Sequence, residues 1–347
     1  MTDGLGVIET VSGPIEPEML GVTLGHEHLL IDLRGLWDEP PTDARRALAD
    51  RPITLQSRTI WEQNPYESRD NLVIDDEDAA AEELGAFAQA GGRSVIDMTV
   101  DGLDPKPEAL RRISQRSGVQ IVMGTGVYRA FAHPPWVAAM TVDELAAHFV
   151  GSIRNGINGT SVRAGLLGEL GTSSPILPDE VKVLRAAARA HFETGVSINV
   201  HPAIFRREGP RILDILEGEG VDLQRVALSH MDELLDYDYH CSLAARGAWL
   251  SFDTLGSEAT FGPEAREPTD DQRIHALLRL LEAGWSARIL LSQDVCTKLQ
   301  LTRFGGNGYA HVLTAIVPRL RGAGVDQSTI SELLVDNPRR YLTGTDR

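Results

Sequence analysis

His26, His28, Glu169, His201, His230 and Asp294 are the residues through which this chain could do chemistry. Imidazole nitrogens and carboxylate oxygens suit zinc and neighbouring first-row cations. Their spacing is regular: Glu169 and His201 lie 32 residues apart, His201 and His230 lie 29 apart, and His230 and Asp294 lie 64 apart, about twice that interval. His26 and His28 flank Glu27, and alternation along an extended strand sends both imidazoles to one side. Four histidines and two carboxylates are too many for one catalytic zinc that keeps a position open. They suit two cations sharing a bridging carboxylate. A single histidine at a strand end ordinarily just satisfies a hydrogen bond, and His133, His148, His191, His240, His275 and His311 read that way. The six differ because all fall in register with one structural repeat.

That repeat alternates short apolar runs with longer segments of helical period. The runs are 22–25, 94–99, 120–125, 163–169, 196–201, 226–230, 248–253 and 289–294. Each is apolar on both faces, as in a buried parallel sheet. Helical segments fall at 77–90, 107–117, 142–156, 179–194, 209–219, 234–246 and 271–283, followed by 309–321 and 327–335. In 179–194, Asp179 is placed to cap the start after Pro178, and Gly195 marks the stop. Eight such units predict a (β/α)8 TIM barrel, one α/β domain over 1–347. A doubly wound open sheet would need a switch point and fewer strands. The Pro-, Arg- and Asp-rich stretch 36–76 interrupts the rhythm and reads as an insertion after the first strand. The six candidates sit at the C-terminal ends of the strands, the face where such barrels place their active sites.

Composition narrows the partners. The chain has 347 residues, 33 basic against 50 acidic, for a net charge of −17. That charge argues against nucleic acid and anionic membranes, which need a basic footprint. Hydrophobic residues make up 42% and charged residues 24%, so the chain is not expected to be disordered. Two cysteines cannot build a disulfide framework. With neither a leader-like N-terminus nor an apolar run of about 18 residues, a cytoplasmic protein is expected.

Several segments then resemble one family. Leu24-Gly25-His26-Glu27-His28-Leu29 is similar to the first-strand signature of the phosphotriesterase family of the amidohydrolase superfamily. The resemblance continues through Gly165-Leu166-Leu167-Gly168-Glu169-Leu170-Gly171, Asn199-Val200-His201-Pro202, Leu228-Ser229-His230-Met231-Asp232 and Leu291-Ser292-Gln293-Asp294, from about residue 7 to 343. Within the family, the phosphotriesterase-related subgroup is indicated by Trp61-Glu62-Gln63-Asn64-Pro65-Tyr66, by Thr297-Lys298, and by the stretch from Phe304 to His311. The resemblance implies a barrel with two divalent metal ions, zinc first, with manganese, cobalt or ferrous iron as alternatives. His26, His28 and Asp294 would hold the more buried metal, His201 and His230 the more exposed one, with Glu169 bridging. A metal-bridging hydroxide would attack, and Asp294 would carry its proton to the leaving group.

Organophosphate-degrading members carry a carboxylated lysine where Glu169 stands, and a histidine where Thr254 follows Asp253. They have tryptophan at the position of Tyr128, a tyrosine that matches lactonase-like members and whose phenol can hydrogen-bond a substrate oxygen. The expectation is therefore a hydrolase of esters or lactones, with promiscuous phosphotriesterase activity. The alternatives are an amidase for small N-acylated amino acid-like substrates, or a binding protein without turnover. A small-molecule substrate and a homodimer are expected. Lys298 and Arg303 are candidates to hold an anionic tail, and Trp61, Tyr66, Phe131 and Trp136 to wall the pocket.

Overall fold

Eight parallel strands form one continuous ladder in sequence order. They are β1 (Thr23–Glu27), β2 (Ser94–Asp97), β3 (Gln120–Thr125), β4 (Leu166–Gly171), β5 (Ile198–His201), β6 (Val226–Leu228), β7 (Trp249–Phe252) and β8 (Ile289–Leu291). The computed structural model describes residues 6–261 and 265–345. The ring closes between its first and last strands: the His26 N–H donates to Ser292 Oγ at 3.0 Å, and the Asp294 N–H to the His26 carbonyl at 3.3 Å. Helices between successive strands cover the outside, and the barrel expected from the alternation is the architecture found.

Strand periodicity sorts the core into two layers. Ile96, Val122, Leu166, Ala227, Trp249 and Leu290 fill the interior with Leu20, Tyr341 and Leu342. Their neighbours Val95, Ile121, Leu167, Leu228, Leu250 and Leu291 face out and pack with helix residues such as Leu84, Leu110, Leu184 and Leu277. Alternation thus carries the interior row of β5 to Asn199 and His201, of β7 to Ser251 and Asp253, and of β8 to Ser292 and Asp294.

Two strands break the alternation, and both carry candidate ligands. In β1 the pairing steps from Leu24↔Val95 to Glu27↔Asp97, three residues against two. In β4 it steps from Leu167↔Ile198 to Leu170↔Val200, again three against two. Each extra residue is a bulge that swaps the faces. Leu24, Leu167 and Leu170 all belong to the outer layer, so the bulges are what bring His26, His28 and Glu169 inward.

The stretch after β1 is an excursion of short helical turns. It leaves from Ile31–Asp32 and returns through Val73–Ile74, the two segments pairing antiparallel. Two further hairpins carried no strong signal in the sequence: Ile8–Thr10 with Gly13–Ile15, and Thr260–Phe261 with Ala265–Arg266. Asp179 is not the cap expected of it. The helix starts one residue earlier, at Pro178, whose fixed φ and missing N–H suit the first turn. The segments 309–321 and 327–335 are not uniform helices: each contains a wide turn, Val312–Ile316 and Glu332–Asp336, directly before a helix with proline in its first turn. Pro318 and Pro338 cannot donate, and their rings crowd the carbonyl four residues back, so the helix widens to accommodate them. Among the described residues no helix is long and apolar enough to cross a membrane.

Candidate metal centre

The six residues expected to act together converge at the C-terminal mouth of the barrel. Glu169 lies at the middle. Its Oε2 is 3.0 Å from His201 Nδ1, 3.7 Å from His26 Nε2 and 4.0 Å from His230 Nε2, and its Oε1 is 3.4 Å from His28 Nε2. Asp294 Oδ1 lies 3.3 Å from His28 Nε2 and 3.6 Å from His26 Nε2. His230 Nε2 approaches His201 Nδ1 to 2.8 Å. Three overlapping groups have donor atoms mutually within 4.8 Å: His26 with His28 and Glu169, His26 with His230 and Asp294, and Glu169 with His201 and His230. Glu169 belongs to two of them, as a bridging carboxylate would.

Each imidazole is aimed by a hydrogen bond at its far nitrogen. Ser229 gives its hydroxyl proton to Asn199 Oδ1, so it accepts from His26 Nδ1–H at 3.0 Å and leaves Nε2 with a lone pair toward the centre. His28 Nδ1 lies 2.9 Å from Thr99 Oγ1, and His230 Nδ1 lies 2.9 Å from Asp253 Oδ1. His201 is turned the other way round, with Nε2 3.4 Å from the Tyr128 hydroxyl. This outer ring fixes orientation and tautomer, as it does around bound metals. His230 and Asp294 adopt φ of +58° and +47°, rare for residues with a Cβ and characteristic of functional positions. The left-handed turn at His230 is what brings it inward, since the interior row of β6 passes through Ala227 and Ser229.

The electrostatics fit cations. His26 Nε2 and Asp294 Oδ1 are buried without any hydrogen-bond partner, as ligand lone pairs would be. Burial pushes His201 down to about 4, keeping it neutral and able to donate an electron pair. Burial alone would raise Asp294, but the hydrogen bond from His28 and the charges of His26 and His230 override it and hold the carboxyl at about 2. Glu169 is likewise held well below its ordinary range, against burial, chiefly by His201.

Sequence reasoning undervalued three supports. Asp253 holds His230 and also lies 3.3 Å from His26 Nδ1. Asp232 accepts the backbone N–H groups of Asp253 and Thr254, both at 3.1 Å, and faces the fully buried Arg273 at 3.3 Å. Glu27 points away from the cluster and accepts from Ser292 Oγ and the N–H groups of Gln293 and Val295, at 2.7–2.9 Å. It thereby pins the loop that carries Asp294. A buried acid next to the ligand pair was the available signal for Glu27.

Above the cluster opens a cavity of about 480 Å³, lined in part by Tyr66, Tyr128, Arg129, Leu255, Phe261 and Cys296. Tyr66 and Tyr128 line it as expected. Trp61 instead packs with Ile53 and Leu299, and Trp136 stacks on His148 with centroids 4.8 Å apart. Phe131 stays outside the lining, half exposed beside Tyr128. Lys298 and Arg303 are not anion holders. Lys298 Nζ pairs with Asp70 at 2.7 Å and Arg303 Nη1 with Asp76 at 2.9 Å, clipping the excursion to the loop after β8, and neither lines the cavity.

Comparison with known proteins gives four matches. The family model described as Phosphotriesterase family matches residues 6–342. A Danio rerio protein named N-acetyltaurine hydrolase is 34% identical over 348 residues, covering 99% of both chains. Among solved structures, a resiniferatoxin-binding protein from Rhodobacter sphaeroides is 42% identical, with a TM-score of 0.95, over 97% of this chain and 95% of that one. A lactonase from Listeria monocytogenes is 28% identical, with a TM-score of 0.78, over 97% and 98%.

Proposed function

Because the chain belongs to the phosphotriesterase family, whose members are metal-dependent hydrolases, we propose that it cleaves the amide bond of small N-acylated amino acids or amino sulfonates. The observation that carries the hydrolytic reading is the buried convergence of four imidazoles on Glu169 and Asp294, with donor atoms left unpartnered. His26, His28 and Asp294 would hold one divalent cation, His201 and His230 a second, and Glu169 both. When bound, such a pair supplies a nucleophile at neutral pH and positive charge opposite the scissile carbonyl. The preference for amides over esters rests on end-to-end similarity to proteins named N-acetyltaurine hydrolase.

The chain's own groups account for the remaining needs of the reaction. Asp294 Oδ1 takes the proton from the attacking water and returns it to the amide nitrogen as the C–N bond breaks. An amine leaves only when protonated, so this transfer matters more for amides than for activated esters. The Tyr128 hydroxyl, at the cavity wall beside His201, donates to the carbonyl oxygen as it gains charge. Asp253 keeps His26 and His230 aimed throughout.

Lactones are the second reading. The buried Tyr128 carries it, since the same donor serves a lactone carbonyl. The metal-loaded protein would be assayed in parallel on N-acetyltaurine, N-acetyl-β-alanine, alkyl lactones, aryl esters and phosphotriesters. The highest kcat/KM is expected on the N-acetylated acids. Turnover of lactones with none of the amides would replace the amide reading.

A further inference from the structure

Charge is unevenly placed around the cavity. Two arginines line it among the described residues, Arg58 and Arg129. Arg58 is already committed: its Nη1 donates to the carbonyls of Leu299 at 2.6 Å and Phe304 at 3.0 Å, and its Nε to Glu62 at 2.7 Å. Arg129 makes no ion pair with any described carboxylate. Its Nε is buried without a hydrogen-bond partner, and its guanidinium carbon lies 5.4 Å from the Phe131 ring centroid. Arg129 is only half-buried, but its buried Nε is a donor that no described group satisfies, and an oxyanion entering the cavity could do so.

The backbone there is held firmly. The Tyr128 N–H donates to the Asp101 carbonyl at 3.0 Å and the Gly171 N–H to the Val127 carbonyl at 3.1 Å. Gly171 lies so close that a Cβ on it would come within 2.2 Å of the Arg129 backbone nitrogen, which is why β4 ends in glycine. The guanidinium is therefore presented from a fixed base, one residue after Tyr128. Glu258 and Glu267 line the cavity from the segment after β7. In a ring of eight, β3 and β7 lie four strands apart, so the loops that carry the cation and these carboxylates leave opposite sides of the mouth.

We propose that Arg129 anchors the anionic end of the substrate, a sulfonate or carboxylate, and so selects acylated amino acids and amino sulfonates over neutral amides and esters. This rests on the amide reading above for the nature of the scissile bond, but not for the anion. The guanidinium fork matches either oxyanion through paired N–H donors, and the carboxylates across the mouth repel an anion bound the wrong way round.

The test uses the metal-loaded protein with Arg129→Gln and Arg129→Lys. The ratio of kcat/KM for N-acetyltaurine or N-acetyl-β-alanine to that for a neutral aryl ester should fall roughly 10- to 100-fold in R129Q, the range of a lost charge-assisted hydrogen bond. R129K should recover part of it. Ethanesulfonate and propionate give a readout free of amide chemistry: each should inhibit aryl-ester hydrolysis competitively and bind in titration calorimetry, and R129Q should weaken both effects by a similar factor. If no amide is hydrolysed but sulfonate binding still depends on Arg129, the anchor stands and the amide reading falls. If the ratio is unchanged in R129Q, or if neither anion binds the unmodified protein, the anchor is overturned.

Discussion

Two jobs are proposed for Asp294, ligand and proton carrier, and one substitution can separate them. Asparagine keeps an oxygen toward the cluster but accepts no proton at neutral pH. Asp294→Asn should hold much of the metal yet lose turnover by roughly 10²–10⁴-fold. At matched metal content, the loss should be smallest for nitrophenyl esters and largest for amides, whose nitrogen must be protonated to leave. A uniform loss along such a leaving-group series would assign Asp294 to ligation alone. Glu169 has no substitute at the end of β4, so Glu169→Ala should bring metal below two ions per chain by elemental analysis, and activity with it. Glu169→Lys should regain both only when bicarbonate allows the amine to be carboxylated. All six members of this cluster were legible in the sequence, because histidine and carboxylate at strand ends one repeat apart are a pattern that core packing does not generate. The residue that faces the cavity unpaired was not. Lys298 and Arg303 looked equally suitable on paper, and only the positions of Asp70 and Asp76 show that their charges are already satisfied.

At the scale of elements, the strands were legible to within a few residues and the bulges were not. Apolar runs show where a strand is, but a face swap leaves no trace in composition. Gly168 marks one of these places. It sits at φ +132° in β4, and a Cβ there would fall 2.5 Å from the Asn199 carbonyl oxygen. Gly168→Ala should lower Tm by roughly 2–6 °C, the cost of a backbone region open essentially to glycine alone. Because the next residue is Glu169, metal content should fall in parallel, and a melt followed with and without added zinc would show the two losses together. The C-terminal helices were misjudged for a different reason. Apolar period continues through Pro318 and Pro338, and only the missing donor at each proline forces the wide turn.

Across the whole molecule, the centre is braced by a buried cation set behind carboxylates of the cavity wall. Arg273 is fully buried, 3.3 Å from Asp232 and 3.2 Å from Glu233. Burial already pushes the nearby Glu267 carboxyl up, and Arg273 opposes that rise. Arg273→Met should cost about 3–5 kcal/mol, since it strands carboxylates rather than removing a pair. The pH dependence has a definite sign. A carboxyl whose folded pKa lies above its unfolded value binds more protons when folded, so stability is greatest below the unfolded pKa and is lost as pH rises toward the folded one. Without Arg273 that window widens upward, so the variant should be most impaired at neutral pH and partly restored near pH 5, as denaturant melts at the two pH values would show. A deficit that is equal at both would mean that lost packing, not stranded charge, explains the variant.

The bulges also decide where this chain can gain or lose length. The excursion from 36 to 76 begins and ends on one antiparallel pair, so residues added within it leave the barrel register untouched. Between Leu24 and Glu27 the opposite holds, for the one surplus residue there sets which way everything after it faces. Inserting one residue between Gly25 and His26, beyond what the single bulge absorbs, would turn the first pair of imidazoles toward the helices. Such a variant should fold with its strands paired, as far-ultraviolet circular dichroism would report, and bind no metal at all. Removing one residue from the excursion should leave metal content unchanged.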